Sequence, residues 1–354
     1  WEQLSSEKWL WRLRIQSQDA MSLSVGFTRF QLPSEAKIFL HGPGNTAVHG
    51  PYTAKDATNG QHWTPLIHAE EIVIELTVPA KQRSAVNLTI GKVIHGYRSL
   101  TSSREGPSTK SGDCNIDVAC DQADPWRDQV RSVGGYTLRR GQNALWCTGT
   151  LVNNTTEDKT PYFLTAEHCV SYPSQASSMV FYWNFQTAQC REPGSGASGT
   201  FPDDSLTVGK WEQTSTGAIL KARYGSIHED RTISGKPDLA LVEIDDDIPV
   251  DYNLFFSGWS RERTTTSSSV TIHHPSGHGK RITFDENPSS ITGWGRSSSG
   301  NTHLRIGNWE RGTTEGGSSG SPLFNTEKRV VGVLSGGSAG CDIDTQGSED
   351  NNRP

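Results

Sequence analysis

The fold class is decided by the run EIVIELTV at residues 71–78, which alternates between apolar and mostly polar positions. Successive side chains of a β-strand point to opposite faces, so this run suits a strand with one buried and one wet face. Similar runs occur at residues 11–16, 23–30, 37–40 and 87–94, and clusters of turn residues such as GPGN at 42–45 separate them. Residues 1–98 are therefore predicted to form a small β-sandwich.

The remaining chain divides into a linker and a second domain. With 354 residues, the chain exceeds the usual size of one domain. Residues 99–113, SLTSSREGPSTKSGD, offer almost nothing to bury, which is typical of a linker and of a processing site. Residues 114–354 are predicted to be a second all-β domain, with strands near 145–152, 161–165, 179–185, 239–244, 270–273 and 330–334.

Composition narrows the class of function and the compartment. The formal net charge is -6 without a basic block, and no apolar run is long enough to span a membrane, so neither nucleic acid nor a membrane is an expected partner. The six cysteines are dispersed between residues 114 and 341 and lack CxxC spacing. This pattern favours disulfides, hence a secreted protein, over a zinc site, although six reduced cysteines in a cytosolic protein are an alternative.

The run GGSSGSPLF at residues 316–324 suits a nucleophilic serine. Such a serine needs backbone N–H groups directed at the developing oxyanion, and glycine permits the turn that supplies them. We expect Ser319 to be the nucleophile and the N–H groups of Gly317 and Ser319 to form the oxyanion hole. An ordinary Ser/Gly turn is the alternative when this run is taken alone.

Two further runs offer the partners that a nucleophilic serine requires. YFLTAEHCV at residues 162–170 presents His168 at the end of a strand beside a cysteine, and PDLALVEI at 237–244 places Asp238 before a strongly apolar strand. His168 is the expected general base, and Asp238 is expected to accept its Nδ1–H. A structural histidine and an aspartate that merely caps a strand are the alternatives for the two residues taken singly.

A rival nucleophile is Ser338, in the GxSxG pattern at residues 336–340. The residues that follow it make a poor helix. That pattern also requires a histidine later in the chain, whereas the last histidine is His303. The order His168, Asp238, Ser319 is instead that of the chymotrypsin group.

The second domain resembles the bacterial lysyl endopeptidases, which are secreted trypsin-like proteases with a two-barrel fold. The resemblance covers residue 111 to the C-terminus and rests on TAEHC, DLALVEI and GSSGSP, together with SGDCNIDV at 111–118, LVNN at 151–154, IHHP at 272–275 and KRI at 280–282. It implies the disulfides Cys114–Cys341, Cys120–Cys190 and Cys147–Cys169. It further implies a substrate pocket for a lysine side chain that involves Trp294, Ser335, Gly336, Gly337 and Asp350.

This chain departs from the family's pattern at two points. The family has a histidine stacked on the tryptophan where this chain has Ser335, and it continues past Pro354 into a strand and a helix that we expect the present chain to lack. Ser318 replaces the acidic residue that precedes the nucleophile in animal trypsins, so activation by a new N-terminal amine is not expected. The N-terminal domain is predicted to be a proregion that assists folding or blocks the cleft, cut at Lys110 or Arg104, or else a retained accessory domain.

The sequence thus predicts a secreted, monomeric serine endopeptidase that cleaves polypeptides after basic residues, lysine above all. Contact between the proregion and the protease domain is expected, and no metal or organic cofactor is implied. We interpret His273, His274 and His278 as structural or surface residues rather than metal ligands. The alternatives are an inactive homologue that serves as a secreted binding module and an adhesive or carbohydrate-binding β-protein.

Overall fold

Two packed antiparallel sheets occupy the first 97 residues. The structure, a computed structural model, describes residues 1–45, 48–97, 111–200, 207–208, 212–225, 237–294 and 300–341. The first strands are β1 Glu2–Ser5, β2 Lys8–Gln16, β3 Ser22–Gln31, β4 Lys37–His41, β5 His49–Tyr52, β6 His62–Trp63, β7 Glu71–Pro79 and β8 Asn87–Gly96. They form one sheet in the order β1-β2-β7-β4-β5 and another in the order β6-β3-β8. Short 3-10 helices cover Pro43–Asn45, Ala54–Asp56 and Ala80–Ala85.

The run that predicted the sandwich forms its central strand. β7 buries the side chains at positions 72, 74, 76 and 78 and leaves those at 71, 73, 75 and 77 half-buried. The buried set packs against residues of β3, which belongs to the facing sheet. Apolar burial between the two faces is what holds this sandwich together.

The described part of the second region contains two large sheets, two smaller two-stranded sheets and little helix. Its strands are β9 Ile116–Asp117, β10 Val133–Arg140, β11 Asn143–Val152, β12 Tyr162–Thr165, β13 Val180–Tyr182, β14 Gln186–Thr187, β15 Thr207–Val208, β16 Thr214–Thr216, β17 Ala218–Tyr224, β18 Leu239–Ile244, β19 Ser269–His273, β20 Arg281–Asp285, β21 Ser290–Thr292, β22 His303–Arg305, β23 Pro322–Phe324 and β24 Val330–Val333. The α-helices are α1 Arg127–Ser132 and α2 Pro173–Ala176, and 3-10 helices cover Asp121–Trp126, Val250–Tyr252 and Pro275–Gly277.

The first of these sheets curls back on itself. Its strand order is β16-β13-β10-β11-β12-β18-β17, and the two outermost strands are separated in the chain only by Gly217 at φ +74°. The second sheet has the order β24-β23-β19-β20-β9, beside a β21–β22 hairpin. Each sheet encloses its own apolar core. The expected all-β class, a β-sandwich followed by a chymotrypsin-like double β-barrel, is confirmed.

The sequence patterns missed two central strands for identifiable reasons. β10 contains Gly134 and Gly135, and glycine weakens the sequence pattern of a strand. Glycine is required at position 135 by packing, because a Cβ there would lie 2.3 Å from the Trp146 ring. β20 is buried on both faces, and one of its buried residues is Arg281, so the alternation of wet and dry positions is absent. Arg281 is tolerated there because Asp117, also buried, forms an ion pair with it at 2.9 Å.

The N-terminal sandwich packs on the outer face of the first barrel. An apolar cluster joins Trp63 and Leu66 of the sandwich to Val180, Tyr182 and Phe185 of the barrel. The Leu66 N–H also donates to the Tyr182 hydroxyl at 3.2 Å. The two regions therefore contact each other, as predicted, and the contact is partly apolar.

The packed part of the second region begins at Ser111, within the predicted linker. Ser111 is only 3% exposed, so residues 111–113 belong to the folded body. Residues 98–110, with the predicted cleavage points Arg104 and Lys110, lie outside the described residues. Among the described residues, no helix is long and apolar enough to cross a membrane.

Candidate active site

A histidine and an aspartate meet at one end of the curled sheet. β12 and β18 are antiparallel neighbours, so the residues after Thr165 and those before Leu239 lie at the same sheet edge. The Asp238 carboxylate accepts the backbone N–H of His168 at 2.8 Å, and its other oxygen lies 2.6 Å from His168 Nδ1. Because a carboxylate oxygen accepts hydrogen bonds, Nδ1 is the donor in this contact, and Nε2 is the ring nitrogen that Asp238 does not engage.

Burial explains why the pair is held so closely. The Asp238 side chain has no exposure to solvent, whereas the His168 side chain is 18% exposed. A carboxylate removed from water requires donors, and His168 supplies two of them. The histidine thus has one edge fixed in the interior and remains partly accessible from outside.

A disulfide fixes the residue that follows His168. Cys169 is bonded to Cys147 in β11, which ties the chain after the histidine to a central strand of the barrel. The other two pairings that the resemblance implied, Cys114–Cys341 and Cys120–Cys190, are also present. All three predicted disulfides are confirmed.

The loop that carries Ser319 packs directly on the segment that leads to His168. The Ser319 carbonyl accepts the Thr148 N–H at 2.9 Å. At the next residue, Gly320, a Cβ would lie 2.1 Å from Thr165 Oγ1 and 2.8 Å from the Ala166 nitrogen. Only a glycine permits this close approach, which brings the serine loop against the end of β12.

Hydrogen bonds on the carbonyls of this loop orient its amides. Gly316 C=O accepts the Ser276 N–H at 2.6 Å, and Ser318 C=O accepts the Ser321 N–H at 2.9 Å. In a planar trans peptide the C=O and the following N–H point in opposite directions, so the N–H groups of Gly317 and Ser319 point away from these partners. Neither N–H donates a hydrogen bond to any of the described residues.

Gly317 adopts a backbone conformation that favours glycine. Its φ is +92°, and a Cβ would come within 3.0 Å of the His274 carbonyl oxygen. Both Gly317 and Ser319 are partly exposed. Two outward-directed N–H groups beside a serine hydroxyl are what an oxyanion hole requires.

Buried histidines support the loop from behind. His273 lies 2.7 Å from the Ser318 hydroxyl through Nδ1 and 3.1 Å from the Thr283 hydroxyl through Nε2. Burial, with a smaller contribution from the Arg281 charge, lowers the pKa of His273 to about 3. His274 and His278 are also fully buried, and the structure groups no metal-binding set of His, Cys, Asp or Glu among the described residues. Their surroundings indicate a structural role.

A cavity of about 830 Å³ opens beside Asp238, and neither His168 nor Ser319 is among the described residues that line it. Of the residues that the resemblance assigned to the substrate pocket, Trp294, Ser335 and Gly336 line it together with Asp238. Gly336 has φ +152°, and a Cβ there would lie 3.3 Å from the Trp294 ring. Gly337 is described but does not line the cavity, and Asp350 lies outside the described residues.

His303, which carried no motif in the sequence, also lines this cavity. Its ring stacks on Trp294 with centroids 5.3 Å apart and an interplanar angle of 28°. Burial lowers the pKa of His303, and the nearby Asp238 charge opposes that shift. The resemblance predicted no histidine on this tryptophan because Ser335 stands in the family's histidine position. The β21–β22 hairpin, which pairs Thr292 with His303, provides a histidine from another strand.

The contact at Gly320 yields a stability prediction with a matched control. Gly320→Ala should lower the free energy of unfolding by about 2–5 kcal/mol, because it adds positive-φ strain and forces a methyl group against Thr165 and Thr148. Gly316→Ala, whose Cβ would meet nothing within 4 Å, should change it by less than about 0.5 kcal/mol. Urea unfolding of both variants measures the difference, and equal effects would contradict the packing described here.

Comparisons with known proteins agree with this architecture. Residues 108–352 match the family model described as lysyl endopeptidase, C-terminal domain, and residues 1–97 match the lysyl endopeptidase N-terminal domain. A lysyl endopeptidase from Pseudomonas aeruginosa is 27% identical over 333 residues, which cover 90% of this chain and 66% of that protein. The chain therefore spans slightly less than two thirds of this relative's length.

Other similar proteins are more distant. Secreted RxLR effector protein 73 from Plasmopara viticola is 23% identical over 341 residues, covering 88% of this chain and 73% of that protein. Among solved structures, the protease Anisep from Arthrobacter nicotinovorans has a TM-score of 0.38 at 16% identity and covers 58% of this chain and 84% of that one. A TM-score this low does not by itself establish a shared fold. The two family models, which together span most of the sequence, show that the chain belongs to the lysyl endopeptidase family.

Proposed function

We propose that this protein is a secreted serine endopeptidase that hydrolyses peptide bonds after lysine through His168, Asp238 and Ser319. The observation that carries the proposal is the pair of hydrogen bonds from His168 to the buried Asp238 carboxylate. Family membership supports the reaction class, and the name of the Pseudomonas aeruginosa relative supports the choice of lysine.

In the proposed reaction, Ser319 Oγ attacks the scissile carbonyl carbon while His168 Nε2 takes the hydroxyl proton. The carbonyl π electrons move onto the oxygen, where the Gly317 and Ser319 N–H groups stabilise the charge. His168 then donates its proton to the departing amine, which leaves an acyl-serine and a free amino terminus. A water molecule, deprotonated by His168, then attacks the acyl carbon; the acyl–oxygen bond to Ser319 breaks, and His168 returns the proton to the serine oxygen while Asp238 holds the ring orientation.

Lysine selectivity is proposed to come from the cavity beside Asp238 and from Asp350. Trp294 and Gly336 give that cavity an apolar wall suited to the methylene stem of a lysine. Asp350 would pair with the ammonium group, as the resemblance implies. The residues between 341 and 350 include several acids and no base, which also favours a cationic substrate residue.

The N-terminal sandwich is proposed to be a proregion that assists folding. Among the described residues, those that line the cavity all come from 224–336, and none comes from the first 97. The sandwich instead covers Val180, Tyr182 and Phe185 on the barrel, apolar residues that would be exposed during folding without it. These positions support assisted folding over a physical block of the described cleft.

Export is proposed on the basis of the disulfides. Three disulfides and the absence of a free cysteine fit an oxidising compartment. All three disulfides lie in the C-terminal domain, which is the domain proposed to act outside the cell.

The nucleophile is tested by removing two serines separately. Ser319→Ala should lower kcat on a lysyl peptide amide by about 10⁶-fold, because the attacking oxygen is lost. Ser338→Ala, in the rival GxSxG pattern, should leave kcat within about twofold of the wild type. Activity that survives in the first variant and disappears in the second would reverse the assignment. A wild-type protein without hydrolytic activity would favour the binding-module alternative.

Selectivity is tested by mapping cleavage sites in a denatured protein mixture. Cuts should follow lysine, and Asp350→Asn should lower kcat/KM for lysyl peptides by about 10²-fold or more, because an ammonium group would enter the pocket unpaired. Glu349→Gln is the matched control and should retain the selectivity. Cuts after acidic or aromatic residues would remove the proposed role of Asp350.

A further inference from the structure

One carboxylate outside the triad, that of Glu315, holds the start of the serine loop. Glu315 Oε1 accepts the Gly112 N–H at 2.6 Å and the Asn115 side-chain amide at 2.9 Å, while Oε2 accepts the Ser276 hydroxyl at 3.0 Å. Hydrogen bonds to a carboxylate are stronger than those between neutral groups. Glu315 therefore joins two separate segments, residues 112–115 and Ser276, to the start of the serine loop.

The backbone of Glu315 is bonded just as closely to the residue before the nucleophile. The Ser318 N–H donates to the Glu315 carbonyl at 3.0 Å, and the Glu315 N–H donates to the Ser318 hydroxyl at 3.1 Å. Ser318 is fully buried and also contacts His273. The turn from Glu315 to Ser318 is therefore closed by two hydrogen bonds, and it begins at the residue that carries the carboxylate.

Ser276 connects this carboxylate to the oxyanion hole. Its N–H donates to Gly316 C=O, and that bond directs the Gly317 N–H outward because both belong to one planar peptide. Ser276 has φ +54°, a conformation that costs about 1–2 kcal/mol in a residue other than glycine. The bond from its hydroxyl to Glu315 stabilises that conformation, so Glu315 acts on the Gly317 amide through Ser276.

The other side of the carboxylate rests on a rigid segment. A Cβ at Gly112 would lie 2.1 Å from Cys341 Sγ and 2.8 Å from Glu315 Oε1, so only glycine allows the approach. The Asn115 carbonyl accepts the Ser198 hydroxyl at 2.8 Å and Arg281 Nη1 at 3.2 Å. The donors to Glu315 are thus fixed by a disulfide and by a buried guanidinium.

We propose that Glu315 is a positioning residue that holds the Gly317 amide in the orientation needed to bind the oxyanion. This inference rests on the proposed serine endopeptidase function. The Gly112 N–H is a backbone group that exists before any cleavage of the linker, so ordering of this loop does not depend on a new N-terminal amine. In this proposal the Glu315 carboxylate orders the serine loop, which Ser318 cannot do because it has no carboxylate.

The test compares Glu315→Gln with wild type in the full chain. A misplaced oxyanion donor should lower kcat on a lysyl peptide amide by about 10- to 100-fold while KM changes little. Affinity for a tripeptide aldehyde ending in lysine, whose serine adduct carries an oxyanion, should fall by a similar factor. Affinity for butylamine, a competitive probe that makes no oxyanion, should stay the same.

Two further variants separate positioning from folding. Glu310→Gln, an exposed acid on the same segment, should leave kcat and both affinities unchanged. Ser276→Ala keeps the Cβ and the strain of the positive φ and removes only the hydroxyl contact to Glu315, so it should lower kcat and aldehyde affinity in the same direction as Glu315→Gln. This variant also carries the test if Glu315→Gln does not fold.

The outcomes distinguish a failure of the positioning role of Glu315 from a failure of the proposed endopeptidase function. Unchanged kcat and aldehyde affinity in Glu315→Gln and Ser276→Ala, or equal losses of aldehyde and butylamine affinity, would overturn the positioning role alone, provided that Ser319→Ala abolishes wild-type activity. A wild-type protein that neither cleaves the peptide nor binds the aldehyde would overturn the proposed function and the positioning role together.

Discussion

The contact on which the site depends is the one between the buried Asp238 carboxylate and the two N–H groups of His168. A carboxylate without access to water costs several kcal/mol unless donors compensate it. His168 is the residue that supplies them, at 2.8 and 2.6 Å. The antiparallel pairing of β12 with β18 sets this contact, and the Cys147–Cys169 disulfide holds the chain immediately after the histidine.

Thr148 links this contact to the serine loop across the two barrels. Its N–H donates to Ser319 C=O at 2.9 Å, and its hydroxyl donates to Gly317 C=O at 2.8 Å. Its carbonyl accepts the Thr165 hydroxyl at 2.8 Å, and the His274 N–H reaches its hydroxyl at 3.2 Å. A single residue of the first barrel therefore fixes the loop of the second barrel and the strand that leads to His168. The position of the serine loop therefore depends on contacts between residues that are far apart in the sequence.

Sequence alone predicted those strands and candidate site residues whose neighbours in the chain form a recognisable pattern. The strand at 71–78 was predictable because one of its faces is buried, and His168, Asp238 and Ser319 were conspicuous because small or apolar residues surround them. Glu315 and His303 were not predictable, since the partners that give them meaning lie elsewhere in the chain; the Gly112 donor is 203 residues from Glu315. The resemblance placed Trp294, Ser335 and Gly336 at the cavity that they line, but it also included Gly337, which does not line it. The three catalytic roles and that of Asp350 stay predictions.

The most direct test of the central claim is the site and rate at which a phosphonofluoridate labels the full chain. Only a serine activated by a neighbouring base is expected to react readily. The account predicts one adduct, mapped by mass spectrometry to Ser319, and a reaction that becomes undetectable in His168→Ala. Labelling at Ser338, or labelling of Ser319 at an unchanged rate without the His168 imidazole, would contradict it.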